Sequence, residues 1–163
     1  MRMASNPRPL IGLLAGVTAG LVASAAMAAF QNQASKLIPK EDQSNGDPAT
    51  VKAADMVVEA TTGDKVPEPY REASGQAVHY IVGGVLGGIY GLITEYRPEA
   101  ASGFGGAYGV VTSALLDEGA VPALGLGSGP AETPASIHAY GAASHLVYGM
   151  VLEGVRRIIA GAR

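Results

Sequence analysis

The apolar residues of this chain gather into four long stretches, and most of the charged residues lie between those stretches. A hydrocarbon core of about 30 Å is crossed by a helix of about 20 apolar residues, and the stretches have that size. The pattern therefore predicts one all-α domain over residues 1–163, an integral membrane bundle of about four transmembrane helices. The expected spans are 9–30, 75–94, 100–116 and 135–155.

The glycines change how this pattern is read, because the chain has 23 of them and most lie inside the apolar stretches. In water, a glycine within a helix costs about 1 kcal/mol relative to alanine. In a bilayer, small residues are common where helices pack closely. The glycines also account for a mean hydropathy of only +0.22. Their placement favours a membrane over water.

Glycines recur at four-residue spacing along single helix faces, which lets two backbones approach closely. We expect them to pack helices within the bundle. A seam between copies of the chain, or with a larger membrane complex, is the alternative. The predicted packing residues are Gly12, Gly16, Gly20, Gly83, Gly87, Gly91, Gly105 and Gly109.

Two pairs of predicted helices echo each other in order, which indicates an internal repeat. Residues 16–24 match 105–113 in their glycines and serine, and residues 90–95 match 148–153 in tyrosine, glycine and glutamate. Matching spans would run in the same direction, so the two hairpins would be parallel repeats. Chance similarity between segments rich in glycine and alanine is the alternative.

The first stretch also resembles a signal peptide, because Arg2 and Arg8 precede it and residues 26–28 would permit cleavage before Ala29. Its apolar run is longer than the usual 7–15 residues or so of a signal sequence. We therefore expect it to be retained as a span.

A polar connector, residues 31–74, separates the first two spans. Asp47 is a candidate N-cap, Pro48 suits the first helical position, and Gly63 supplies a stop. These signals predict a short amphipathic surface helix over 48–62. Three apolar residues would share one face of it: Val51, Ala54 and Val58.

The basic residues indicate the orientation of the chain. The 117–134 loop has none, whereas Arg156 and Arg157 follow the last span directly. Basic residues are enriched in cytoplasmic loops, so both termini are expected in the cytoplasm.

Five ionisable residues converge on the outer half of the predicted bundle, where such groups are costly unless paired or hydrated. Imidazoles and carboxylates together can relay protons or hold a divalent cation. His145 is expected to lie deeper in the bundle than His79. His138 and His145 are about 10 Å apart along the axis of the fourth span, too far to bind one ion. The cluster comprises His79, Asp117, Glu118, His138 and His145.

A structural interpretation of the same residues stands beside the functional one. His79 and His138 would be polar anchors at the membrane interface. Asp117 and Glu118 would simply lie at the hydrated end of a span. His145 would be a buried histidine bonded to Ser113 or to a tyrosine.

Other functional classes are disfavoured. The chain has no cysteine, which excludes a thiolate metal site, and its net charge of -3 without a basic cluster argues against nucleic acid. No catalytic motif is present, so we predict neither an enzyme nor a cofactor nor a metal site. Glu153 is expected to form a local ion pair with Arg156 and Arg157 at the inner surface.

Short motifs distributed along nearly the whole chain carry a family resemblance. They are Gly12-Leu-Leu-Ala-Gly16-Val, His79 with Tyr90, Glu95-x2-Pro98, Val121-Pro-Ala-Leu-Gly125-Leu, His145-Leu-Val-Tyr148 and Arg156-Arg157. The chain resembles the YagU-like family of small bacterial inner-membrane proteins. The resemblance implies a polytopic inner-membrane protein of uncharacterised molecular function and supplies no catalytic residues.

Two functions follow from these observations. The first is a structural or interaction protein assembled through glycine-faced helices, with the lipid bilayer and a copy of itself or a larger complex as partners. The second is a proton- or metal-responsive membrane protein or minor transporter that uses the polar cluster. We favour the first, because no ionisable residue continues a polar path before Glu95 or Glu153.

Overall fold

The computed structural model describes residues 6–43 and 46–162. Arg2, which precedes the first apolar stretch, and Arg163, one of the basic residues expected in the cytoplasm, lie outside these ranges. Within them the chain is helical and contains no strand, which confirms the all-α class. The helices are α1 (Pro9–Ala34), α2 (Ala49–Thr62), α3 (Arg71–Tyr96), α4 (Gly106–Leu115), α5 (Val121–Ala123) and α6 (Ala135–Ala160).

The three 26-residue helices form the body of the bundle. α1 packs against both α3 and α6, α4 packs against α6, and α2 lies on α3. Each long helix contains one predicted span and extends a few residues beyond it at one or both ends.

Glycine backbones form the contact between α1 and α3. A Cβ atom on Gly91 would collide with the carbonyl oxygen of Gly12, and one on Gly87 would collide with that of Gly16. Gly20 meets Gly83 in the same way one turn further on. The predicted glycine faces of these two helices therefore face each other inside the chain, in an antiparallel pair.

The pair formed by α4 and α6 repeats this arrangement. Gly105 lies against the Gly149 carbonyl and the Glu153 side chain, just as Gly12 lies against Gly91 and Glu95. The contacts therefore match Gly105 with Gly12. The sequence similarity matched it with Gly16, one helical turn away.

The third predicted span, 100–116, differs from the observed helix at both ends. A 3₁₀ turn occupies Pro98–Ala101, and α4 begins only at Gly106. Beyond α4 the helical path continues through a π-helical turn, Leu116–Ala120, in which the Val121 N–H donates to the Leu116 carbonyl five residues earlier. Pro122 follows, and its ring is incompatible with a regular α-helical turn before it. The segment that carries Asp117 and Glu118 is therefore wider than an α-helix.

The predicted surface helix is present as α2, and Gly63 ends it at a φ of 83°. The predicted capping role of Asp47 is wrong, because Pro48 occupies the N-cap position and no side chain caps the helix. Asp47 instead lies 2.6 Å from Arg71 on α3, which also pairs with Asp55 at 3.0 Å. This ion-paired arginine fastens α2 to the start of α3.

Burial in this bundle is inverted relative to a water-soluble protein. Its centre consists largely of glycine, alanine and polar groups, and Glu95, Glu153 and Arg156 are at most 1% exposed. Large aliphatic residues of the long helices lie outside, with Leu10 67% exposed and Ile81 64% exposed. Soluble proteins bury large aliphatic residues and rarely bury charged ones.

Two of the described helical segments are long and apolar enough to cross a membrane, judged by length and composition alone. They are Pro9–Leu37 and Glu68–Tyr96, which contain the first two predicted spans.

A polar cavity at one end of the bundle

An open cavity of about 670 Å³ lies in the half of the bundle where α1 ends and where α3 and α6 begin. Most of its wall is apolar, from residues such as Met27, Leu86 and Leu116. Thr50 and Val51 of α2 line it on one side. Its size falls within the range of about 300–1,000 Å³ that is typical of small-molecule sites.

A histidine–carboxylate pair lies in the wall of this cavity. His145 Nε2 on α6 is 3.3 Å from Asp117 Oδ2 on the π-helical turn. The Ser113 hydroxyl donates to the same oxygen at 2.8 Å. Gly141 leaves the space for this carboxylate, because a Cβ there would lie 2.9 Å from Oδ2. The predicted partner of His145, Ser113 or a tyrosine, is replaced by Asp117, to which Ser113 is also bonded.

The other ring nitrogen of His145 is isolated. Its Nδ1 is buried and has no hydrogen-bond partner, and the residue is 7% exposed. A neutral ring with its proton on Nε2, the nitrogen that lies near Asp117, leaves the Nδ1 lone pair bare. A second proton would place an N–H at Nδ1 with no acceptor, and an unsatisfied buried donor costs about 1–3 kcal/mol.

His79 lines the same cavity from α3. Its Nε2 is 3.1 Å from the Ser24 carbonyl oxygen on α1 and therefore donates to it. The Ser24 side chain is completely buried, and its hydroxyl has no hydrogen-bond partner. His79 thus links α3 to α1 just where the close glycine contact between them ends.

The remaining pair of the predicted cluster lies beside a second, smaller cavity of about 270 Å³. His138 Nδ1 is 2.6 Å from Glu118, and its Nε2 is 3.1 Å from the Pro130 carbonyl oxygen. Asp117 and His145 line both cavities. The five residues singled out from the sequence are therefore gathered at one end of the bundle, around two adjoining spaces.

The arrangement brings imidazoles and carboxylates close together in two pairs, which suits proton or hydrogen-bond chemistry. Among the residues that the structure describes, no group of three or more histidines, cysteines or carboxylates is placed to hold a metal ion.

The opposite end of the bundle contains a buried ionic cluster that the sequence analysis interpreted as a surface pair. Glu153 is fully buried and accepts hydrogen bonds from Arg156 at 2.7 Å, from Arg157, and from the Tyr90 hydroxyl at 2.8 Å. The local spacing correctly suggested the two arginines. It missed the burial and the contact with Tyr90.

Glu95 occupies the corresponding place in the first hairpin. Its carboxylate accepts the Arg8 backbone N–H at 2.6 Å, just before α1 begins, and the Arg8 side chain donates to the Ala160 carbonyl at the end of α6. The sequence did hold a signal for this cluster, because Gly91-x3-Glu95 and Gly149-x3-Glu153 share one pattern.

No known protein family, no curated protein and no solved structure matches this chain. The resemblance to the YagU-like family therefore stays a prediction.

Proposed function

We propose that this protein is a four-span integral membrane protein with a ligand-binding cavity that responds to protonation of His145. The inverted burial carries the membrane part of the proposal. A bundle with leucine and isoleucine outside and glycine, serine and paired charges inside suits a hydrocarbon solvent. The continuous helical path over 106–123 is about 25 Å long, enough for a third span in a slightly thinned bilayer.

The proposed topology places both termini in the cytoplasm of a bacterium whose inner membrane holds the protein. Arg8, Arg156 and Arg157 lie at the same end of the bundle, and basic residues favour the cytoplasmic side. The cavity then belongs to the outer half. The matching contacts of Gly12 and Gly105 support a duplicated hairpin, with parallel repeats. This architecture agrees with the one that the YagU-like resemblance implies.

The internal use of the glycine faces changes the balance between the two functions. The glycines of α1 and α3 contact each other, as do those of α4 and α6, so they provide no support for a seam between copies. The cavity with its His145–Asp117 pair is the feature that internal packing does not explain. We therefore favour a responsive binding protein over an assembly role.

The environment of His145 explains why protonation would matter. The groups that titrate around it are Asp117 in contact, and Glu72, His79, Glu118, His138, Tyr140 and Tyr148 in the two cavity walls. A proton on Nδ1 has no acceptor in this arrangement, so the ring or its surroundings must rearrange when it binds. Histidine is the side chain suited to such a response near neutral pH.

Two measurements test the proposal in order. Alkaline carbonate washing of membranes that contain the full chain should leave the protein in the pellet, and release into the supernatant would refute the membrane assignment. The protein is then reconstituted in nanodiscs with fluorotyrosine in place of tyrosine, and the ¹⁹F signal of Tyr148 is assigned with Tyr148→Phe.

The Tyr148 signal should shift as the pH is lowered from about 8 to about 5. A proton added at Nδ1 of His145 has no acceptor, so the ring or its neighbours must move. His145→Gln keeps a donor for Asp117 but does not titrate, so it should abolish the shift. His138→Gln should retain the shift, since His138 lines only the smaller cavity. A shift that persists in His145→Gln, or none in the unmodified chain, would refute the proton response.

A further inference from the structure

We infer that the larger cavity binds a small amphipathic amine, with its ammonium group at Asp117 and its apolar part along the cavity wall. This inference rests on the proposed ligand-binding function and names the class of ligand. The wall is mostly apolar and carries two carboxylates, Glu72 and Asp117. Among the described residues that line it, none is a lysine or an arginine. A carboxylate ligand would have no permanent cation to pair with.

Asp117 is available to such a cation. Its side chain is 36% exposed, and it lines both cavities. The contacts of Asp117 with Ser113 and His145 both involve Oδ2, and neither involves Oδ1. In a site of low polarity, a hydrogen bond between an ammonium group and a carboxylate is about twice as strong as one between neutral groups.

Two further polar groups in the same wall lack hydrogen-bond partners. They are the Ser24 hydroxyl and Nδ1 of the neutral His145 ring, and both residues are more than nine-tenths buried. Both atoms accept hydrogen bonds, and a primary ammonium group has three hydrogens to donate. The chemistry of this wall therefore matches a donor-rich head group.

In this site, binding of the amine is coupled to protonation of His145. A doubly protonated His145 ring would itself be the cation beside Asp117, and it would then repel an ammonium group. Proton and amine would therefore compete for one carboxylate. Acidification should release the amine and should leave a neutral ligand of the same shape bound.

Three probes of one shape separate these effects: naphthylmethylamine, naphthylmethanol and naphthoate. The chain has no tryptophan, so naphthalene emission can be read against tyrosine alone. The fluorescence anisotropy of each probe is measured with the full chain in nanodiscs whose lipids carry no net charge. Ala28→Phe fills part of the cavity wall and gives the level of binding to lipid alone.

At pH 8 the amine should bind about tenfold more tightly than the alcohol, and the carboxylate should bind more weakly than both. Asp117→Asn, which keeps an acceptor for Ser113, should reduce amine affinity to that of the alcohol. Glu132→Gln makes the same change at an exposed position outside both cavities and should alter nothing. Lowering the pH to 5 should weaken the amine alone, and His145→Gln should remove that pH dependence.

The outcomes separate the two proposals. Equal binding of amine and alcohol, or an amine preference that survives Asp117→Asn, would overturn the ligand class and leave the cavity as a binding site. Stronger binding of the carboxylate would also overturn the ligand class. Binding of all three probes at the Ala28→Phe level would overturn the binding function itself.

Discussion

The hydroxyl of Tyr90 on α3 donates a 2.8 Å hydrogen bond to the buried carboxylate of Glu153 on α6, 63 residues later in the chain. The ring of Tyr90 also packs against Tyr108 of α4, with ring centroids 4.7 Å apart. This single side chain therefore joins the first hairpin to both helices of the second.

Replacing Tyr90 with phenylalanine should weaken the junction between the hairpins. The ring contacts would remain and one hydrogen bond to a charged acceptor would be lost, at a cost of about 1 kcal/mol in the free energy of unfolding. Tyr70→Phe is the matched control, because Tyr70 is 65% exposed. Reversible unfolding in mixed micelles measures both. An equal effect of the two substitutions would show that the Tyr90 hydroxyl contributes nothing.

The buried ion pair between Glu153 and Arg156 should show strong coupling in a double-mutant cycle. Glu153→Gln leaves the buried Arg156 without this counterion and should cost about 3–5 kcal/mol, and Arg156→Met should cost less. The double variant should cost less than the sum of the two. Arg157 still pairs with Glu153 in Arg156→Met, which makes Glu153→Gln the cleaner arm. Additive effects in the same unfolding assay would contradict the pairing.

Substituting alanine at Gly87 should separate α1 from α3. Its Cβ would lie 2.7 Å from the Gly20 Cα atom, so the backbones would have to move apart, at a cost of about 1–3 kcal/mol. Gly84→Ala on the same helix is the control. The nearest atom to its new Cβ is a Leu21 methyl at 3.4 Å, an ordinary contact. We expect Gly84→Ala to be neutral or slightly stabilising, and the opposite ranking would argue against the close crossing.

The attachment of α2 to the bundle should depend on Arg71. Its contacts with Asp47 and Asp55 join the connector to α3, and Asp55 also accepts the Val66 N–H at 3.1 Å. Arg71→Gln should increase proteolysis within α2 several-fold, because it removes the ion pairs that tie both Asp47 and Asp55 to α3 and so favours local opening. Lys65→Gln removes a neighbouring exposed charge and should have little effect. Unchanged cleavage in Arg71→Gln would show that apolar contacts alone hold α2.

The sequence predicted the all-α class and the courses of the long helices with useful accuracy. The starts of α1 and α6 and the end of α2 at Gly63 follow from local signals. It failed where one residue had two possible partners. Asp47 was interpreted as a helix cap, and in the structure it pairs with Arg71, 24 residues away. A cap and an ion pair require the same carboxylate, and only the folded chain chooses between them.

The repeat illustrates the same limit at the level of helices. Sequence similarity matched Gly16 with Gly105, and the contacts match Gly12 with Gly105. Glycines spaced every four residues make neighbouring registers nearly equivalent in sequence. In the structure, the fit of the Glu95 and Glu153 side chains beside these glycines distinguishes them.

The sequence by itself determined that this protein is helical, where its long helices run and which faces carry glycine, because apolar length and spacing are local properties. Tertiary structure decided which glycine faces meet, that Glu153 is buried beneath Tyr90, and that His145 and Asp117 share a cavity wall. The physical reason is that periodicity specifies the face of a helix but not its neighbour. That neighbour is selected by close backbone packing and by the pairing of buried polar groups over long separations in sequence.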